Sequence, residues 1–270
     1  MPKLTSIDYR LPEIYATEYL SMFQGSANNP ILIRGIDKEK HDKGDYVIKL
    51  KSIERMTDPA ASMRELLAAF IAMEMEIPSI KPAIVEVSSE FVQTISPGYI
   101  KQAASSSIGY NFGSTYERNY QVVGVEPLSD KLLPFAQDIF AFDLFIQNTD
   151  RNRTKPNMLT NGEEILILDH EIAFGFTFAP FLPAKLWEMQ VRDKNWIENH
   201  ILYPLIKGKE FDYAEFSAKM VNLNNDFWNK AWDLLPDEWR VEQFGTIKQT
   251  INSFIENQDT FINELKFTMS

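Results

Sequence analysis

Ile146-Gln147-Asn148-Thr149-Asp150-Arg151-Asn152-Arg153-Thr154-Lys155-Pro156-Asn157-Met158-Leu159, followed closely by Ile165-Leu166-Ile167-Leu168-Asp169-His170-Glu171, decides how this chain is read. The first stretch is a polar loop carrying an acid, Asp150, and, seven positions on, an amide, Asn157. The second is an aliphatic run with the composition of a short buried strand, ending abruptly in Asp169. A charge at the end of a buried strand is costly unless it is paired or bound to metal. A loop Asp, a loop Asn and a strand-end Asp are three oxygen groups that can converge on one point. Hard oxygen donors of this kind suit Mg²⁺.

Working outward, Leu133, Phe135, Ala136, Ile139, Phe140, Phe142 and Asp143 run into Ile146 as one mostly buried helix that stops at Asn148. Beyond the two stretches, Trp187 through Leu265 reads as amphipathic helices broken near Gly208, Pro236 and Gly245, with Trp228, Trp232 and Trp239 filling their core. Upstream, the small residues of Met22–Pro30 form a hairpin tip before the strand Ile31-Leu32-Ile33. Alternation over Tyr46–Lys51 predicts another strand, with Lys49 and Lys51 on one face. Ala60 through Met75, rich in Ala, Leu, Met and Glu and free of Gly and Pro, predicts a helix ending before Ile77-Pro78. Residues 83–87 and 91–95 read as short strands, and residues 96–120 as a loop containing a hinge. Residues 1–20 are a lead-in strand or helix. The order predicts an α+β protein of two lobes: residues 1–112 with strands and one main helix, and residues 113–270 mostly helical, the boundary falling within 96–128.

Composition narrows the function. The chain has 270 residues, 44% of them hydrophobic and 24% charged, enough for a large core. It has no cysteine, which excludes a disulfide framework and a thiolate zinc site and suits a reducing compartment. Neither a signal-peptide core nor a membrane-spanning apolar run is present in the sequence, so the expected location is the cytoplasm. A net charge of −11 argues against an extended nucleic-acid or anionic-membrane surface while permitting a small basic pocket for phosphates.

Phosphoryl transfer needs one carboxylate at the acceptor hydroxyl, with an Asn and a second Asp on the metal. Asn148-Thr149-Asp150-Arg151, then Asn157, then Leu168-Asp169-His170 resemble the catalytic core of HipA-like kinases and, more distantly, the lipid-kinase branch of the protein-kinase-like fold. The resemblance covers roughly residues 20–180. It implies ATP and Mg²⁺ as cofactors, Asp150 as the catalytic acid–base group, and Asn157 and Asp169 as metal ligands. It further implies Lys49 as the strand lysine that pairs with the phosphates, with Lys51 as its alternative, and Glu65 as the helix glutamate that holds it. Gly25 and Ser26 would lie in the loop covering the nucleotide, and Ser26 is a candidate for autophosphorylation. Asp143 would support the catalytic loop.

One departure and two further features stand out. The kinase spacing from base to Asn is five residues; here it is seven, which makes Asn152 a rival of Asn157. The metal motif is Asp169-His170-Glu171 in place of Asp-Phe-Gly, where His170 and Glu171 are supporting or structural groups. Asn111-Phe112-Gly113-Ser114 resembles a segment of the family with no assigned chemistry, read as a tight turn near the hinge.

The reading is an ATP- and Mg²⁺-dependent kinase acting on a hydroxyl, with Ser or Thr of a protein implied by the family; a lipid or small-molecule acceptor stays open. A nucleotide-binding pseudokinase is the alternative, and a metal-dependent phosphohydrolase or nuclease a weaker one. The family also implies a small DNA-binding antitoxin as partner, although direct nucleic-acid binding by this chain is not expected.

Overall fold

The computed structural model describes residues 2–23, 29–124, 127–178, 185–189 and 193–270. Five strands close into a barrel: β1 (Glu13–Met22), β2 (Ile31–Asp37), β3 (Lys43–Lys49), β4 (Pro82–Val87) and β5 (Gly109–Thr115), in the order β1-β2-β3-β5-β4. Antiparallel pairing runs throughout except at the seam, where β4 returns to β1 in parallel with Glu13 opposite Ile84. Two register shifts in β1, between Ala16 and Glu18 and between Tyr19 and Ser21, supply the bending that closure requires. Ile14, Ile31, Ile33, Ile48, Ala83 and Val85 fill the interior. The barrel is narrow enough that a Cβ on Gly113 would stand 2.6 Å from Val85 Cγ2 and 3.1 Å from the Val47 carbonyl oxygen. Gly113 is therefore a barrel residue on β5, not part of a hinge turn, and β5 runs across position 112.

Between β3 and β4 lies α1 (Pro59–Glu74), opened by Pro59 and by Asp58, whose side chain accepts from Ala60 N at 2.9 Å. Every residue from Ala60 to Glu74 is buried, so α1 has no solvent face. Its apolar residues Met63, Leu66, Leu67 and Phe70 join the large helical core. Its buried polar groups must find partners inside the protein. Glu74 accepts from Thr5 N at 3.0 Å and Thr5 Oγ1 at 2.7 Å; Arg64 and Glu65 turn toward the site described below.

The strand expected at 91–95 is a helix. After β4 the chain forms α2 (Ser89–Gln93), capped by Ser88, whose hydroxyl accepts from Phe91 N. Phe91 and Val92 are adjacent and both buried against the barrel, an arrangement that leaves the sequence without helical spacing. The expected loop at 96–120 holds α3 (Tyr99–Ser105) and β5. Asn111 ties that region together: its amide donates to the Ser107 and Gly109 carbonyls, and its oxygen accepts from Lys51 N at 2.9 Å.

The rest of the chain is helical apart from β6 (Gln121–Val122) and the hairpin described next. Helix α4 (Leu133–Ile146) ends where Gln147 takes a left-handed conformation at φ 50°. Strands β7 (Met158–Thr160) and β8 (Ile165–Ile167) then form a small hairpin with Met158 opposite Ile167. Ile167 also bonds the chain between α1 and β4: its N–H donates to the Pro78 carbonyl at 3.0 Å and its carbonyl accepts from Ile80 N at 3.1 Å. That link sets the end of β8 beside α1. Helices α5 (Lys194–Asn199), α6 (Tyr203–Ile206), α7 (Tyr213–Met220), α8 (Asn225–Asp233), α9 (Gln243–Glu256) and α10 (Gln258–Met269) complete the fold. The break expected at Gly245 is absent, since Gly245 lies within α9. Trp228 and Trp239 are buried as expected; Trp232 is 36% exposed and packs edge-on to Phe244. No described helix is long and apolar enough to cross a membrane.

Gly113→Val is expected to destabilise the protein by about 1–3 kcal/mol through overpacking of the barrel. An unchanged urea midpoint would contradict the close approach of β4 and β5 at this residue.

Candidate active site

Lys49 is the last residue of β3 and, although a lysine, is only 8% exposed. Its ammonium is surrounded by carboxylates: Asp169 Oδ1 at 2.6 Å, Glu171 Oε2 at 2.5 Å, and Glu65 Oε1 of α1. Burial works against its charge, but the Asp169, Glu65 and Glu171 carboxylates outweigh it and raise the Lys49 pKa well above the ordinary lysine value. Lys51 leaves the strand direction after β3 ends and lies 3.5 Å from Glu238, so the two lysines do not share a face.

Glu65 has a second task. Its other oxygen, Oε2, accepts from the His170 backbone N–H at 2.9 Å, so one carboxylate holds both Lys49 and the Asp169-His170-Glu171 segment. Arg64, its neighbour on α1, donates from Nε to the Glu171 carbonyl at 2.6 Å and from Nη1 to Gln243 of α9 at 2.8 Å. The three acids around one ammonium cannot all be charged cheaply. Burial, with the Asp169 and Glu65 carboxylates beside it, pushes Glu171 up to about 8. Asp169 is also penalised by burial, but Lys49 and a hydrogen bond from Glu171 hold it well below the usual carboxylate range. Within that pair the surroundings favour the charged form at Asp169 and the protonated form at Glu171.

Asn157 and Asp169 stand together at the open end of the β7–β8 hairpin. Leu168 N donates to the Asn157 carbonyl at 3.1 Å, and both Asn157 (φ 48°) and Asp169 (φ 64°) adopt left-handed backbone. Neither is a glycine, and such conformations cost energy that the surroundings must hold in place. Asp169 keeps 20% of its side chain open to solvent, and Asn157 Nδ2 is buried without a hydrogen-bond partner among the described residues. The side-chain oxygens of Asn157 and Asp169 are hard donors of the kind that suits Mg²⁺, while the orphaned Nδ2 is an N–H donor and contributes nothing to a cation. Asn152, its rival, is engaged otherwise: its Oδ1 accepts from Thr154 N, Thr154 Oγ1 and Lys155 N at 3.0, 2.7 and 3.2 Å. Glu65, Asp169 and Glu171 also have oxygens within 4.8 Å of one another, close enough to surround a cation.

Asp150 precedes Arg151 in the loop and sits 3.2 Å from Lys155 Nζ. Arg151 is the buried tie of this region. Its Nε and Nη2 donate to Asp143 Oδ2 and Oδ1 at 2.5 and 3.2 Å, its Nη1 donates to the Asn157 carbonyl, and its Nη2 lies 3.3 Å from His170 Nε2. Asp143 on α4 also accepts from Asn148 Nδ2 and His200 Nε2, each at 2.9 Å. His200 Nδ1 accepts from Leu202 N, which fixes the tautomer that donates to Asp143. Burial raises the Asp143 carboxyl, yet Arg151 and His200 leave it well below its usual range. Burial, aided by Arg151, takes His170 down to about 3, so that ring is neutral. Asp143 thus supports the loop as expected, through side chains as well as through its own carbonyl, which accepts from Asn148 N.

Of the residues singled out in sequence, Lys49, Glu65 and Asp169 come into direct contact. Asn157 adjoins Asp169 through the hairpin, and Asp150 adjoins Asn157 through Arg151. Gly25 and Ser26 lie outside the described residues. In the sequence Arg151 and Arg64 carry no assigned role, His200 goes unmarked, and Glu171 reads as a supporting or structural group. An arginine inside the loop and one beside Glu65 on an all-buried helix were the available signals.

The match to the HipA-like kinase family model spans residues 37–267, and the chain belongs to that family. It is a kinase-family phosphotransferase with an α+β, kinase-like fold. Among solved structures it is similar to one titled a Helicobacter pylori proinflammatory kinase, CtkA, at 11% identity and a TM-score of 0.46, over 96% of this chain and 99% of that one. No curated protein matches.

Arg151→Met strands the Asp143 carboxylate and is expected to cost about 3–5 kcal/mol in urea denaturation. Asp143→Leu/Arg151→Met should recover part of that loss, and a single variant as stable as wild type would contradict the role of the pair.

Proposed function

We propose that the protein is an ATP- and Mg²⁺-dependent kinase that transfers the γ-phosphoryl group to a Ser or Thr hydroxyl of a protein. The observation that carries this reading is the Lys49 ammonium held between Glu65 of α1 and Asp169 at the end of β8. A phosphotransferase of this class needs that lysine and metal-ligand aspartate at one point. The barrel would be the first of two lobes and the helical part the second. We would set the division after Thr115 in place of 112, a choice supported by the membership of β5 in the barrel.

In this reading Lys49 pairs with the phosphates, Glu65 fixes the lysine, and Asn157 and Asp169 hold Mg²⁺ through their side-chain oxygens. When bound, the metal supplies positive charge against the phosphate oxygens. Asp150 orients the acceptor hydroxyl and takes its proton. The hydroxyl oxygen bonds to the γ-phosphorus as the bond from that phosphorus to the β–γ bridging oxygen breaks. The bridging oxygen keeps the electron pair and leaves on ADP. Gly25 and Ser26 would cover the phosphates, and an antitoxin partner is proposed on family membership alone.

Asp150→Ala is expected to lower phosphoryl transfer by ~10²-fold or more, in the range typical of lost acid–base catalysis, with nucleotide binding spared. Asp169→Ala should weaken Mg²⁺-dependent nucleotide binding as well. Transfer from γ-labelled ATP, followed beside thermal stabilisation by ATP with and without Mg²⁺, separates the two effects. Undiminished transfer by Asp150→Ala would remove its assigned role.

A further inference from the structure

The loop between Asp150 and Asn157 is two residues longer than the kinase spacing, and the proposed chemistry uses none of the extra length. The added residues form a closed turn. Asn152 N donates to the Lys155 carbonyl at 3.0 Å and Lys155 N donates back to the Asn152 carbonyl at 3.1 Å, with Arg153 and Thr154 exposed at the tip. The Asn152 side chain braces the turn from inside through Thr154 and Lys155. Its base is anchored by a bridge from Asn152 to His200 and by Ile201 N donating to the Arg151 carbonyl at 3.2 Å. The extension is a backbone turn that presents two cations. Lys155 Nζ lies 3.2 and 3.5 Å from the two oxygens of Asp150, and Arg153 is exposed with no ion pair among the described residues.

Lys155 at the acid, with Arg153 exposed two residues before it on the same turn, is a local concentration of positive charge in a chain whose net charge is −11. Charge of this kind at the rim of a site selects partners by complementarity. We propose that this turn reads the acceptor: Arg153 and Lys155 favour Ser or Thr hydroxyls with acidic residues close by in a protein chain. An acceptor carboxylate draws Lys155 away from Asp150, freeing the base to meet the hydroxyl, while Arg153 supplies a second contact. The tip is exposed, which suits an extended peptide, whereas a small anionic acceptor is ordinarily held in an enclosing pocket. The inference rests on the kinase reading above and names its substrate class.

The test offers wild type and Arg153→Glu a degenerate Ser/Thr peptide library with Mg-ATP, and in parallel phosphatidylinositol vesicles, reading products by mass spectrometry. Mg-ATP binding is followed by thermal shift. Wild type should favour Asp and Glu near the phosphorylated residue by about fivefold, the scale of an exposed ion pair, less so at high salt. Arg153→Glu should erase or reverse that preference with Mg-ATP binding unchanged. Absence of acidic bias among labelled peptides, or bias unchanged in Arg153→Glu, would overturn the inference alone. Labelling of the vesicles in place of peptides, or no labelling by a protein that binds Mg-ATP, would overturn the protein-kinase reading and the inference with it. Failure of wild type to bind Mg-ATP would overturn the kinase reading and the inference with it.

Discussion

The buried ion pair between Asp143 and Arg151 is the constraint on which the rest of the site depends. A carboxylate and a guanidinium with no solvent exposure must satisfy one another and every remaining hydrogen-bonding position, or the fold loses several kcal/mol. Satisfying them fixes the surroundings. Asp143 gathers Asn148 and His200, while Arg151 reaches the Asn157 backbone and the His170 ring. One pair therefore joins α4, the loop carrying Asp150, the β7–β8 hairpin and the segment before α6. The left-handed backbones of Asn157 and Asp169 persist because this network and the hairpin register leave them no alternative.

The second organising feature is α1. A helix buried on every face cannot shift without breaking contacts to both the barrel and the helical core. It carries Glu65 to Lys49 and Arg64 to the carbonyl of Glu171, so the barrel strand bearing the lysine and the segment bearing Asp169 are registered against one element. The crowding of three acids about Lys49 has a chemical consequence. The ammonium neutralises Asp169; in the proposed function a divalent cation would compete with Lys49 for that carboxylate, and the phosphates of a nucleotide would give the ammonium replacement partners.

Much of this was legible in the sequence because it follows from local patterns. Asp169 announced itself as an acid closing an aliphatic run, and α1 and α4 as long segments free of interior breakers; alternation marked the strand of Lys49 and Lys51, and only the resemblance to the kinase family singled out Lys49. What remained hidden depends on contacts distant along the chain. Phe91 and Val92 are β-branched or aromatic neighbours that read as a strand, yet both fill the barrel end from a helix. Gly113 looked like a turn residue because its role, close approach of β4 and β5, exists only once the barrel closes. Arg151 and His200 are ordinary in sequence; only the folded chain puts both on Asp143. Lys51 was misplaced because the strand ends at Lys49, a boundary that alternation alone does not mark.

The central claim is that Lys49, Asn157 and Asp169 form a nucleotide–metal site. Calorimetric titration of the protein with a non-hydrolysable ATP analogue, with and without Mg²⁺, tests it most directly. The account predicts saturable binding at one site that Mg²⁺ strengthens and that Lys49→Met abolishes or severely weakens. Absence of binding, or binding that is indifferent to both Mg²⁺ and the Lys49→Met substitution, would contradict it.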